Sequence, residues 1–194
     1  DGTTSRGLGD VYKRQVEDSL DDCMNVAGTS TVDRSGCPDT DGDGYSDPDS
    51  GWNVGNGADA FPNEPTQWAD QDSDGYGDNP LGIEPDGCPV SPGTSTLDRL
   101  GCGDGDGDGY SDPDGGWPVA SGADFCPTVS GTSNQDRSGC PDDDGDGYSD
   151  PDPGGIHGPS WDIGDGADAF IGNATQWVDA DGDTFGDNSG GTFG

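Results

Sequence analysis

The chain has 194 residues, 41 of them acidic and only 6 basic, and a formal net charge of −35. That charge repels phosphate and anionic headgroups, which argues against nucleic acid and membrane surfaces as partners, and no apolar run approaches membrane-spanning length. At 26% hydrophobic residues, with 38 Gly and 15 Pro, the chain cannot bury a conventional core large enough to offset its ordering entropy; disulfides and bound metal are the usual substitutes. Only Glu17, Glu64 and Glu84 are glutamate, and every other acidic residue is Asp. A merely solubilising surface mixes the two, whereas metal loops and tight turns select the shorter side chain.

Residues 1–15 stand outside the pattern that follows. Arg6, Lys13 and Arg14 are half of all the basic residues. The run Asp10-Val11-Tyr12-Lys13-Arg14-Gln15 resembles the translated end of a transposon used in preparing sequencing libraries. This stretch is expected to be a non-native N-terminus. With neither an initiator Met nor a secretory leader, the chain is expected to be an internal piece of a longer protein.

The first long module is read over 16–87. Asp21 precedes Cys23 by two, like the last ligand of a loop lying upstream. Cys23 and Cys37 enclose Gly28-Thr29-Ser30 and Asp33-Arg34. Then comes Asp39-Thr40-Asp41-Gly42-Asp43-Gly44-Tyr45-Ser46-Asp47, with carboxylates at positions one, three, five and nine and Gly at six. Ca²⁺ takes about 6–8 oxygen ligands at roughly 2.3–2.6 Å. Alternate side chains of a curled loop converge on one centre, Gly permits the sharp turn, and the carbonyl of position seven, Tyr45, adds an oxygen. An insertion carrying Trp52 leads to Asp59, read as the closing ligand. Asn63-Glu64-Pro65-Thr66-Gln67-Trp68 is expected to open a short helical turn, with Trp68 packing on Phe61. The rival reading makes the Trp an exposed platform for glycans or partner proteins. A second loop follows with Asp70, Asp72, Asp74, Tyr76 and Asp78, closed by Asp86.

A short module is read over 88–125. Cys88 and Cys102 repeat the fourteen-position spacing, and the third loop carries Asp104, Asp106, Asp108, Tyr110 and Asp112, with Trp117 in its insertion and Asp124 closing it. A second long module is read over 126–194, truncated at its C-terminus. Cys126 and Cys140 come first, and the fourth loop has Asp142, Asp144, Asp146, Tyr148 and Asp150, with Asp168 closing. Asn173-Ala174-Thr175-Gln176-Trp177 repeats the earlier segment, and Trp177 is expected to pack on Phe170. Asn173-Ala174-Thr175 also spells a glycosylation sequon, read as chance. The fifth loop carries Asp179, Asp181, Asp183, Phe185 and Asp187. It has Thr184 where the turn wants Gly, and Ser189 to Gly194 offers no carboxylate side chain to close it. In the first, third and fourth loops, Asp49, Asp114 and Asp152 are open to two readings, as extra ligands or as turn caps.

Five copies at fixed aspartate spacing, each with an aromatic at position seven, are not explained by an acidic disordered tract. Six cysteines allow fifteen pairings. The repetition favours the local ones, Cys23–Cys37, Cys88–Cys102 and Cys126–Cys140, since each copy then closes alike. Zinc usually wants short Cys-x-x-Cys pairs or added His, and neither occurs. Persistent disulfides imply an oxidising, extracellular or cell-surface setting. No helical or alternating periodicity of useful length appears. The expected fold is therefore irregular, with little regular secondary structure: tandem calcium-wrapped Asp-rich loops stapled by local disulfides. His157 is the only His, read as an exposed loop residue; no nucleophile or phosphate-cradling motif accompanies it, and no enzyme activity is expected.

The aspartate run, the Gly-Tyr, the ninth Asp, the closing Asp and the Cys-Pro after it resemble the thrombospondin type-3 repeat in its bacterial and archaeal form. The likeness extends over 18–194. It implies that the aspartates bind calcium, that the chain wraps the ions, and that the repeats act as a stalk or spacer in a secreted or surface adhesion protein. It places the family's ligand positions on Asp39, Asp41, Asp43, Asp47, Asp59 and their counterparts. The tryptophan-bearing insertions before the closing Asp depart from the family pattern. The alternative is a dockerin-like module that recognises a partner protein through its calcium loops; such a module would carry a recognition helix where Gly- and Pro-rich insertions stand here.

Overall fold

A computed structural model describes residues 19–156 and 158–189. The readings of residues 1–15 and of His157 lie outside the described residues. The chain divides into two units, Asp1–Pro89 and Val90–Gly194. The first holds the first two Asp loops and the second holds the other three.

Regular structure is nearly absent, as the Gly and Pro content dictates. Among the described residues there are two single 3-10 turns, Val54–Asn56 and Val119–Ser121, and the isolated bridges Gly77–Pro85 and Asp152–Trp161. The two 3-10 turns sit at equivalent places, each closed by a left-handed glycine, Gly57 at φ 105° and Gly122 at φ 110°. Asn63–Trp68 forms single turns rather than a helix, with Gln67 N–H donating to the Glu64 carbonyl at 3.0 Å.

What replaces an apolar core is covalent and polar. The disulfides are local, Cys23–Cys37, Cys88–Cys102 and Cys126–Cys140, and no described cysteine is free. The Cα separations of the first and third are 5.0 and 5.1 Å, within the ordinary range. The buried apolar side chains are small: Cys37, Cys102, Cys126, Cys140 and the alanines Ala58, Ala123 and Ala167. Ser30, Ser95 and Ser133 are fully buried inside the disulfide loops. The Ser30 hydroxyl donates to the Arg34 carbonyl at 2.6 Å and accepts from Cys37 N–H at 2.9 Å. Gly28, Gly93 and Gly131 lie so close to the backbone of the second cysteine that a Cβ there would overlap its carbonyl.

The insertions fold back on these loops. Trp52 Nε1–H donates to Asp33 at 3.0 Å while the Arg34 guanidinium lies 5.3 Å from the Trp52 ring centre. Trp117, Asp98 and Arg99 repeat this arrangement at 3.0 and 5.7 Å, a cation–π contact of modest strength. Of the two readings of Asp49 and Asp114, the turn cap is the one seen. Asp49 accepts the N–H groups of Gly51 and Trp52, Asp114 those of Gly116 and Trp117, and each pairs with its arginine at 2.8 and 2.7 Å. Trp68 and Trp177 stack on Tyr45 and Tyr148, with ring centres 5.3 and 4.9 Å apart, whereas the sequence pointed to Phe61 and Phe170. The backbone explains the choice: Ala60 and Ala169 N–H bond the carbonyls of Trp68 and Trp177, at 3.0 and 3.1 Å, and so hold that strand of chain beside the preceding loop.

Candidate metal centres

Each Asp loop winds itself up through its own carboxylates. In the first, Asp39 accepts the N–H of Gly42 on one oxygen at 2.7 Å and that of Gly44 on the other at 3.2 Å. Asp41 accepts from Asp43 at 3.2 Å, Asp43 from Tyr45 at 2.7 Å, and Asp47 from Thr40 at 3.0 Å. The position-one bonds recur at Asp70, Asp104, Asp142 and Asp179. Gly at position six takes the left-handed backbone in four loops, with φ of 102°, 98°, 100° and 95° at Gly44, Gly75, Gly109 and Gly147. Thr184 is forced into the same region at φ 71°, which bears out the reading of position six as a positive-φ turn.

This winding brings one carboxylate oxygen from each of Asp39, Asp41 and Asp43 within 4.8 Å of one another. The same holds for Asp70, Asp72 and Asp74, for Asp104, Asp106 and Asp108, and for Asp142, Asp144 and Asp146. Two oxygens on opposite sides of an ion at roughly 2.4 Å are about 4.8 Å apart, so one cation can touch all three. In the fifth loop the group is Asp179, Asp181 and Asp187 instead. The more exposed loop there draws in the ninth aspartate, and Asp183 lies outside the group.

The closing aspartates do reach their loops, across insertions of different length. Asp59, Asp86, Asp124 and Asp168 are all buried, Asp124 completely. Each donates its own N–H to the carbonyl of position eight, Ser46, Gly77, Ser111 or Ser149, at 2.9 Å in every case. Each also accepts, on one oxygen, the N–H of the residue two further on, Phe61, Cys88, Cys126 or Phe170, at 2.6–2.8 Å. The Cys-or-Phe position noted in the sequence is thus the donor that orients the closing carboxylate. Asp21 makes the same bond with Cys23 at 2.8 Å.

Electrostatically these carboxylates are under strain. Burial, with the like charges of Asp43, Asp41 and Asp47 adding to it, pushes Asp59 up to about 6. Burial does the same to Asp86, about 6, beside Asp74, Asp72 and Asp78, and to Asp168, about 6, beside Asp146, Asp144 and Asp150. Asp124 reaches about 7 beside Asp108, Asp106 and Asp112. In all four the neighbours are positions three, five and nine of the loop. The second oxygens of Asp59, Asp86 and Asp124 are buried without a hydrogen-bond donor, as are single oxygens of Asp41, Asp43, Asp144 and Asp146. A buried carboxylate oxygen with no partner is costly; the three aspartates that converge within each loop could hold a cation, and in the first four loops the ninth and closing aspartates are not part of that close group. An all-oxygen donor set, with every cysteine of the described residues tied up in disulfides, suits a hard divalent ion rather than zinc or copper.

No protein-family model matches the chain, and no curated protein matches it.

Among the described residues no helix is long and apolar enough to cross a membrane, and the disulfides fit an oxidising setting. Sequence reading missed Gln67 and Gln176, which are buried beneath the second and fifth loops. It also missed Asp33, Asp98 and Asp136, which accept from position eight of the other three. The recurrence of both residue types at fixed offsets was the available signal.

Proposed function

We propose that this chain is a run of calcium-folded repeats of the thrombospondin type-3 kind, serving as a stalk or spacer in an extracellular or surface adhesion protein. The observation that carries this reading is the closing aspartate. Four of them are buried against three loop carboxylates, and three keep a buried oxygen without a donor. Calcium is favoured over magnesium because Mg²⁺ demands near-octahedral geometry and keeps its waters, whereas these loops supply many protein oxygens in a flexible ring. Tyr45, Tyr76, Tyr110, Tyr148 and Phe185 would add backbone carbonyls, and Asp47, Asp78, Asp112 and Asp150 the ninth-position carboxylates. A bound divalent ion supplies the positive charge that lets these groups stay ionised while buried. With hardly any apolar core, the metal then becomes the folding ligand, and the charge offset turns a self-repelling chain into a stiff one. Other surface proteins, matrix proteins or glycans would be contacted by whatever the spacer carries.

The experiment is small-angle scattering on the oxidised chain, with calorimetric titration of calcium. Calcium should bind at several sites and hold the chain compact, and chelation should expand it to near-coil dimensions outside the disulfide loops. A profile unchanged by chelator, or the same heats with magnesium alone, would overturn the reading.

A further inference from the structure

Position eight is where each loop is tied to its closing ligand, since its carbonyl receives the closing Asp N–H in all four closed loops. Two different devices hold position eight in place. In the first, third and fourth loops it is Ser. Asp33 accepts both the N–H and the hydroxyl of Ser46, at 2.8 and 2.5 Å. Asp98 does so for Ser111 at 2.8 and 2.6 Å, and Asp136 for Ser149 at 2.9 and 2.8 Å.

In the second and fifth loops position eight is Gly77 or Gly186; Glu64, at the same offset before Gly77, accepts instead from the N–H and hydroxyl of Thr66. A buried amide takes the carboxylate's place. Gln67 accepts Asn79 N–H at 2.9 Å and donates to the carbonyls of Asn79 and Ile83, both at 3.1 Å. It therefore grips the chain just after Asp78, together with the turn that leads to Asp86. Gln176 accepts Asn188 N–H at 3.0 Å in the same manner. A Cβ on Gly77 would overlap the Gln67 amide, and one on Gly186 the Gln176 amide. A serine at position eight would therefore have to displace the glutamine amide from where it stands, and the two features go in step along the chain.

We infer that Gln67 and Gln176 are positioning residues for the second and fifth metal centres, standing in for the carboxylate–serine brace of the other three. Gln67 acts through Gly77 and Asn79 on the ninth ligand Asp78 and the closing ligand Asp86. This rests on the calcium reading above.

The test uses the full oxidised chain, ¹⁵N-labelled and titrated with calcium. In Gln67→Met the amides of Gly75 and Tyr76 should reach their midpoint at tenfold or more higher calcium, while Gly44 and Tyr45 move less than twofold. The Gln67 side-chain amide resonances of the unmodified protein should follow the second loop's midpoint. Gly77→Ala should weaken the second loop in the presence of Gln67 and add little once Gln67→Ala removes the side chain it would strike, a non-additivity expected only of direct coupling. Gln67→Glu, which keeps the acceptor for Asn79 but sets a buried carboxylate oxygen against the carbonyls of Asn79 and Ile83, should lose at least as much as Gln67→Met. A second-loop midpoint within twofold of the unmodified value overturns the inference. So do strictly additive losses, or equal losses at the first and second loops in the Gln67 variants. If no loop of the unmodified chain binds calcium, the proposed function falls and this inference with it.

Discussion

Thr184→Gly should tighten the fifth loop for calcium by about fivefold. Thr184 occupies the left-handed region at φ 71°, where the other four loops place glycine. Its N–H still donates to Asp179 at 3.0 Å, so the turn is made in spite of the side chain rather than avoided. A Cβ in that region costs about 1–2 kcal/mol, and the greater freedom of glycine in the unfolded chain gives back about 0.5–1 kcal/mol. The net gain is about 1 kcal/mol, and about 1.4 kcal/mol is a factor of ten in affinity. The mirror experiment is Gly75→Thr in the second loop. There φ is 98° and a Cβ would meet nothing within 4 Å, so backbone strain is isolated from crowding. At Gly44, Gly109 and Gly147 the added carbon would meet Val32, Thr96 or Gln135 at 2.8–2.9 Å, which confounds the same substitution. Residue-resolved NMR during a calcium titration reads each loop separately. In the unmodified chain the fifth loop should fill last. If Thr184→Gly leaves its midpoint where it was, or if Gly75→Thr leaves the second loop untouched, position six is not the strained point.

Asp124→Asn should lower the third loop's calcium affinity at least tenfold, since it removes a completely buried charged ligand. The metal-free chain should be no less compact than before, because an uncompensated buried charge has gone; isothermal titration and scattering in chelator check the two halves. The closing aspartates also set a pH dependence. Their folded-state values of about 6 to 7 lie above the ordinary 3.8. The folded metal-free state therefore takes up protons that the unfolded chain still lacks. Its stability should rise as pH falls through 7 towards 4 and be lost as pH rises through the same values, while calcium binding weakens over that window as protons compete. Scattering in chelator at pH 7.5 and 5, and titrations at both, test the two signs; a metal-free chain that expands on acidification contradicts them. Gly131→Ala should impair formation of Cys126–Cys140, because the added carbon would overlap the Cys140 carbonyl; mapping the unreduced peptides would reveal mispaired or free thiols.

What the sequence by itself determined is what is local. The aspartates at positions one, three, five and nine of one loop lie within nine residues and the two cysteines of one staple fourteen apart, so spacing nearly dictates geometry. Alternate aspartates around a tight turn converge whatever surrounds them, and the positive φ at Thr184 follows from the same turn. The irregular fold was equally legible, since so little apolar surface and so much Gly leave no periodic face to bury. Tertiary structure decided which partner was chosen when several of the same type were within reach. It sent Trp68 to Tyr45 rather than to Phe61, made turn caps of Asp49 and Asp114, and regrouped the fifth loop around Asp187. It also buried Gln67 under Gly77 and turned Asp33 onto Ser46. These choices join residues from 3 to 23 positions apart through single hydrogen bonds or ring contacts. In a chain with almost no hydrophobic pattern, nothing in the spacing ranks such pairings; only the packed backbone, by deciding which donors are within about 3 Å, selects among them.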